Sequence, residues 1–155
     1  MSRPEIAQLN ADALADYQAM LSVFATAFDD AESYLAQPPD VDYRRRLLNN
    51  PGFIALVAKL DDEVVGALAA YELVKFEQAR SEIYLYDLAV LAPYRRRGVA
   101  TALIGHLQHL AAERGAWVIF VQADTEAEDI PAIALYERLG QRESVLHFDI
   151  PPLRD

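Results

Sequence analysis

Two features of this chain combine residue types that can do chemistry. The first is the run Tyr94-Arg95-Arg96-Arg97-Gly98-Val99-Ala100-Thr101. It follows an apolar run at 83–90 and precedes an amphipathic run at 101–114, so a basic, glycine-containing loop should join a strand to the start of a helix. N–H groups in the first turn of a helix have no intrahelical acceptor, and the helix dipole favours anions there. Three arginines beside such donors make a site for a doubly charged phosphate group. Gly98 has no side chain to keep a ligand from the backbone. A solvated basic turn or a nucleic-acid patch would look the same from the loop alone. The second feature is Asp87, a lone carboxylate in the otherwise apolar run 83–90. A buried carboxylate is costly unless it is functional or sits in a structural salt bridge.

The elements that must position these residues follow from periodicity. Asn10 can cap a helix in which Leu14, Tyr17, Leu21, Phe24 and Phe28 form one apolar stripe. Residues 43–49 read as a short helix, stopped by Asn50-Pro51-Gly52. Two apolar runs, 53–60 and 64–74, flank the polar turn Asp61-Asp62-Glu63 and predict an antiparallel hairpin. Residues 81–90 predict a third strand, with Tyr84, Tyr86 and Leu88 on one face and Asp87 on the other. Ala100, Leu103, Leu107, Leu110 and Ala111 give the next helix its apolar face, and Gly115 ends it. A fourth strand at 117–122 should run parallel to the third, because a helix connects them. An acidic loop, 124–129, leads to Pro131 and a helix ending at Gly140, and 144–150 alternates weakly as a last strand. This is a mixed α/β order on one domain, 1–155.

Composition narrows the partners. A net charge of −10 argues against nucleic acid and against anionic membranes, and suits either a cationic partner or simple solubility. With no cysteine, neither a disulfide framework nor an acyl-cysteine intermediate can form, which is compatible with a reducing cytosol. Residues 1–10 lack a signal-type apolar core and no apolar stretch reaches membrane-spanning length, so a cytoplasmic location is expected. No metal-ligand spacing appears, and His106, His109 and His147 read as surface or half-buried side chains.

The loop lacks the Gly-Lys-Ser/Thr of a Walker A site and the three glycines of a dinucleotide fingerprint. It does match Arg/Gln-x-x-Gly-x-Gly/Ala, through Arg95, Gly98 and Ala100. In this it resembles the pyrophosphate loop of the GNAT acetyltransferase superfamily. The later run Ala132-Ile133-Ala134-Leu135-Tyr136-Glu137-Arg138-Leu139-Gly140 is similar to a second motif of that superfamily. Seven residues before Tyr136 stands Asp129, where the superfamily often has asparagine. Further runs resemble class I aminoglycoside 3-N-acetyltransferases: 66–71, Lys75-Phe76-Glu77-Gln78, 80–84, Tyr86-Asp87-Leu88-Ala89-Val90, Val121-Gln122-Ala123-Asp124 and His147-Phe148-Asp149-Ile150.

The resemblance implies a GNAT fold. Its central mixed sheet, of roughly seven strands, is splayed between two parallel strands and flanked by helices. It also implies acetyl-coenzyme A as cofactor, bound by the 95–101 loop (Arg95, Arg96, Arg97, Gly98, Val99, Ala100 and Thr101) and by the backbone of Leu88, Ala89 and Val90. Acetyl transfer to an amine needs a neutral amine, a polarised carbonyl and a proton for the departing thiolate. Asp87 is the candidate base or anchor for the substrate ammonium, and Tyr136 the candidate acid. Glu82, Asp124, Glu126, Glu128 and Asp149 are candidates for a carboxylate-lined pocket, each of them alternatively a solvated surface acid. The expected substrate is an aminoglycoside, a small cationic aminocyclitol, acetylated directly at its 3-amino group. Another cationic amine and a non-catalytic acyl-coenzyme A sensor are the alternatives. A homodimer is common in such folds.

Overall fold

The computed structural model describes residues 2–155. In chain order the elements are β1 (Glu5–Gln8), α1 (Leu14–Ala27), α2 (Ala31–Leu35), α3 (Val41–Asn49), β2 (Phe53–Leu60), β3 (Glu63–Val74), β4 (Ser81–Val90), α4 (Val99–Arg114), β5 (Ala116–Val121) and α5 (Ile130–Leu139). Short 3-10 turns occupy Ala92–Tyr94 and Ala127–Asp129. The chain divides into two compact units, Met1–Gln122 and Ala123–Asp155.

The larger unit is built on one mixed sheet, ordered β1-β2-β3-β4-β5. The first four strands pair antiparallel, and β4 pairs parallel with β5 through the α4 crossover. Among the described residues the sheet has five strands, fewer than the family resemblance implies. The hairpin β2–β3 turns at Asp61 and Asp62, both with positive φ (50° and 65°). That is the backbone a tight hairpin requires, and aspartate tolerates it better than most residues.

Both faces of the sheet are covered, which is why β2 and β3 read as continuous apolar runs. On one face Tyr17, Met20, Val23 and Phe24 of α1 pack with Leu48 of α3 against Phe53, Ala55, Val57, Ala67, Ala69 and Ala89. Phe24 is 1% exposed, and burying such a ring contributes on the order of 2 kcal/mol. α4 packs on the opposite face, burying Val99, Leu103 and Leu107. The stripe expected on α1 is rotated: Met20 and Val23 are buried, while Phe28 is 43% exposed.

Two local expectations fail, and two short elements were not foreseen. Asn10 does not cap α1; its side chain accepts from the Asp12 N–H, and the helix starts after Ala13 with no side-chain cap. β1 and the five-residue α2 were not foreseen, both being too short to show a period. Residues 144–150 form no strand, because no ladder pairs them and their side chains are exposed. The smaller unit consists of the Ala127–Asp129 turn, α5 with proline in its first turn, and a C-terminal stretch, 141–155, without regular structure.

The seat of α4 depends on Gly66. A Cβ there would lie 2.9 Å from Val99 Cγ1 and 3.3 Å from the Ala89 carbonyl oxygen. Valine is stiff and the carbonyl is backbone, so neither yields easily. Gly66→Ala should therefore lower stability by about 1–3 kcal/mol, seen as a reduced urea midpoint at unchanged slope. An unchanged midpoint would show that α4 is not held this closely to β3.

Candidate functional site

The site begins with one irregularity in β4. Ala69 pairs with Asp87 and Ala70 pairs with Leu85, so Tyr86 has no partner on β3 and forms a β-bulge. Directly paired residues in antiparallel strands share a face. Leu85 therefore lies with Ala70, Tyr84 with Tyr71, Asp87 with Ala69 and Leu88 with Leu68. The alternation is reset at Tyr86, and this corrects the expectation of Asp87 opposite Tyr84 and Tyr86. Asp87 lies on the face covered by α1, with both tyrosines, and Leu88 lies on the other.

Two contacts bear this out. Tyr34 of α2 donates from its hydroxyl to Asp87 Oδ2 at 2.7 Å, and its ring lies 5.6 Å from that of Phe24 in the α1 core. Tyr86 meets Tyr71 edge-on at 5.7 Å. The aromatic row continues from Phe53 through Tyr71, Tyr86 and Tyr84 to Phe120, each ring within 6 Å of the next. Tyr86 is 57% exposed, so this row offers open aromatic surface beside the carboxylate.

Asp87 is half-buried, and burial pushes its carboxyl above the ordinary value of 3.8, opposed by the Tyr34 hydrogen bond. Among the described residues no lysine or arginine pairs with it. This removes the structural salt bridge as its explanation and leaves an anion whose partner is a neutral hydroxyl. Tyr34 is the residue that sequence reasoning missed. Its helix spans five residues, and nothing local links it to a strand fifty positions later.

The bulge also marks where β4 and β5 part. Their last registered pair is Leu85 with Val121, so among the described residues no strand pairs the β5-facing edge of β4 from Tyr86 onward. Just beyond, Arg96 and Gly98 take left-handed conformations (φ 62° and 78°), and α4 starts at Val99 with no side-chain cap on its first N–H groups. A Cβ on Gly98 would meet nothing within 4 Å, so the backbone there faces open space. The three arginines differ. Arg95 Nε donates to the Val90 carbonyl at 3.0 Å and ties the loop to the strand end. Arg97 lies 5.6 Å from the Tyr94 ring, and Arg96 is exposed. Val99 is buried in the core, Ala100 half-buried and Thr101 exposed.

Glu82 is bound to Lys75 Nζ at 2.8 Å. Asp149 pairs with His147 Nε2 at 2.9 Å. Asp124, Glu126 and Glu128 are exposed on the loop before α5, and Tyr136 lies half-buried on α5. Among the described residues no cluster of three or more histidine or carboxylate side chains could hold a metal ion, and no helix is long and apolar enough to cross a membrane.

Comparison with known proteins places this geometry in a context. A model of the acetyltransferase (GNAT) family matches residues 17–141. The crystal structure of the aminoglycoside acetyltransferase HMB0005, from an uncultured soil metagenomic sample, is 57% identical with a TM-score of 0.96, over 97% of this chain and 99% of that one. A second aminoglycoside acetyltransferase, meta-AAC0020, from an uncultured soil metagenomic sample and solved with sisomicin, is 27% identical with a TM-score of 0.86, over 96% of each chain. The [ribosomal protein bS18]-alanine N-acetyltransferase of Escherichia coli (strain K12) is 31% identical over 90 residues, 58% of each chain. N-alpha-acetyltransferase 50 of Danio rerio is 30% identical over 92 residues, 57% of this chain and 51% of that one. The chain thus spans between half and two thirds of these two relatives.

Asp87 gives a prediction with a defined sign. Its folded-state pKa is raised, so the folded protein holds a proton that the unfolded chain releases, and stability falls as pH climbs through that window. At pH 7 the cost of the buried charge remains. Asp87→Asn removes the charge and keeps an oxygen to accept from Tyr34. Its urea midpoint at pH 7 should equal or exceed that of the parent. A clear drop would mean that the carboxylate stabilises the fold.

Proposed function

The chain belongs to the GNAT acetyltransferase family, and from that premise we propose that it moves an acetyl group from acetyl-coenzyme A to the 3-amino group of an aminoglycoside. One observation carries the acceptor class: Asp87 is a half-buried anion with no cation beside it among the described residues. A buried charge of this kind is stabilised by an incoming opposite charge, and a protonated amine supplies one. The exposed faces of Tyr71 and Tyr86 beside it suit the apolar edges of a sugar or aminocyclitol ring. Likeness to the two aminoglycoside acetyltransferases narrows the amine, and the resemblance of residues 86–90 to the class I type narrows the position. The reading covers 1–155 as one acetyltransferase domain.

The residues fit the cofactor. Open backbone at Gly98, uncapped N–H groups at the start of α4, and the exposed Arg96 and Arg97 suit a pyrophosphate. Leu88, Ala89 and Val90 lie on the part of β4 that no longer pairs with β5, where backbone groups can meet an amide-bearing arm. When bound, acetyl-coenzyme A supplies the acetyl group as a thioester and leaves as the thiol. Asp87 holds the acceptor ammonium and takes its proton, so that the neutral amine can attack. Tyr136 is proposed to donate its hydroxyl proton to the departing sulfur; the acetylated nitrogen releases its surplus proton as the amide forms, and solvent passes a proton back to the tyrosinate.

A second reading is acetylation of a peptide N-terminus, which the likeness to the bS18-alanine N-acetyltransferase favours. Thiol release should be measured with gentamicin, kanamycin, sisomicin, spermidine and an alanine-initiated peptide side by side. The expected outcome is turnover of the aminoglycosides, with mass spectrometry and NMR locating one acetyl group on the 3-amino nitrogen. Turnover of the peptide without gentamicin would establish the second reading. Cofactor binding with no thiol released from any amine would make the protein a sensor.

The loop assignment has a matched control. Gly98 and Gly115 start and end the same helix at similar left-handed φ (78° and 75°), and a Cβ at either meets nothing within 4 Å. Valine at either position adds similar backbone strain, about 1–2 kcal/mol. By calorimetry, Gly98→Val should weaken coenzyme A binding at least tenfold, and Gly115→Val should leave it unchanged. Equal affinities in the two variants would remove the loop from the cofactor site.

A further inference from the structure

Tyr34 holds a place in the site that the acetyl-transfer reading leaves unused. Its helix, α2, is capped by Asp30, whose carboxylate accepts from the Ser33 N–H at 3.1 Å. Its ring lies 5.6 Å from Phe24 and 6.0 Å from Phe28, and those two stack on each other at 5.8 Å. The ring is therefore set by the α1 core rather than by the carboxylate it reaches. The hydroxyl has one proton to give, and it gives it to Asp87 Oδ2 across 2.7 Å. A bond to an ionised acceptor is among the stronger hydrogen bonds.

We propose that Tyr34 is a positioning residue: by donating to Oδ2 it fixes the Asp87 carboxylate in one orientation and directs Oδ1 to the acceptor ammonium. The proposal rests on the reading of Asp87 given above. It separates two tasks that a lone carboxylate would have to share. One oxygen is held by the fold, and the other is left to bind and deprotonate the amine.

The groups around the pair are Asp30 from the start of α2, Tyr71 from β3, and Tyr84 and Tyr86 from β4 itself; none is a cation. Burial pushes the Asp87 carboxyl up, and the Tyr34 hydroxyl holds it down. Tyr34 is itself pushed well above the ordinary tyrosine value, first by burial and then by Asp87, so it stays a neutral donor through the working pH range.

The test uses full-length protein labelled with ¹³C at the aspartate carboxyls, with the Asp87 signal identified by its loss in Asp87→Asn. Tyr34→Phe keeps the ring on Phe24 and Phe28 and removes only the hydroxyl. The Asp87 titration midpoint should rise by about one pH unit, the scale of a hydrogen bond to a charged group. The acid limb of kcat/KM for the best amine should move the same way, with KM rising more than kcat falls. Fluorotyrosine at position 34 keeps the shape and donates more strongly, so it should move the midpoint down. An unmoved Asp87 midpoint in both proteins would overturn the inference. Full turnover in Asp87→Asn would instead overturn the reading of Asp87, and the inference with it.

Discussion

Tyr86 enters β4 as one residue more than β3 can pair, and from that point the strand changes what it presents. Before it, Ile83 and Leu85 are buried under the α4 side of the sheet and Tyr84 faces α1. After it, Asp87 and Ala89 take the α1 face. The same residue follows the last pair that β4 makes with β5. One bulge thus turns a carboxylate toward the aromatic row and leaves a strand edge unpaired beside it. A regular strand would have sent Asp87 to the α4 side, the face on which Leu68 and Leu85 are buried.

The surrounding contacts fix the strand end and the loop that follow the bulge. Gly66 brings α4 close to β3 and to the Ala89 carbonyl, which sets the start of that helix near the end of β4. Arg95 ties the connecting loop to Val90, and the Leu91 N–H donates to the Val65 carbonyl at 2.9 Å. Between these anchors the loop passes through two left-handed residues, Arg96 and Gly98. Backbone of this kind persists only where neighbouring contacts determine it. On the other face, the packing of α1 places Phe24 and Phe28 where they hold Tyr34 against Asp87. The site therefore draws on both layers of the sheet while its charge stays unmatched.

Much of this was legible in the sequence. Residues 53–60 and 81–90 form strands at the bounds their composition predicts, and β2, buried along most of its length, is the one that needs a nearly unbroken apolar run. Gly115 ends α4 in the left-handed conformation only glycine takes readily. The lone charge in 83–90 marked Asp87 before any contact was known. What stayed hidden depends on distant partners. The bulge leaves no local trace, since Tyr84-Leu85-Tyr86-Asp87-Leu88 reads as ordinary alternation until β3 imposes its register. Tyr34 lies on a helix too short for a period, and its meaning comes from a residue 53 positions away. Residues 144–150 had the residue types of a strand but no partner to make them one.

The central claim is that Asp87 is an anion held ready for a cationic amine. Calorimetric binding of sisomicin, at pH 7 and fixed ionic strength, to the parent and to Asp87→Asn tests it without any dependence on turnover. Loss of a charge-assisted hydrogen bond is worth about 1.5–3 kcal/mol, so the variant should bind roughly 10–100-fold more weakly. Equal affinity in the two proteins would contradict the account, because the amine would then be held elsewhere.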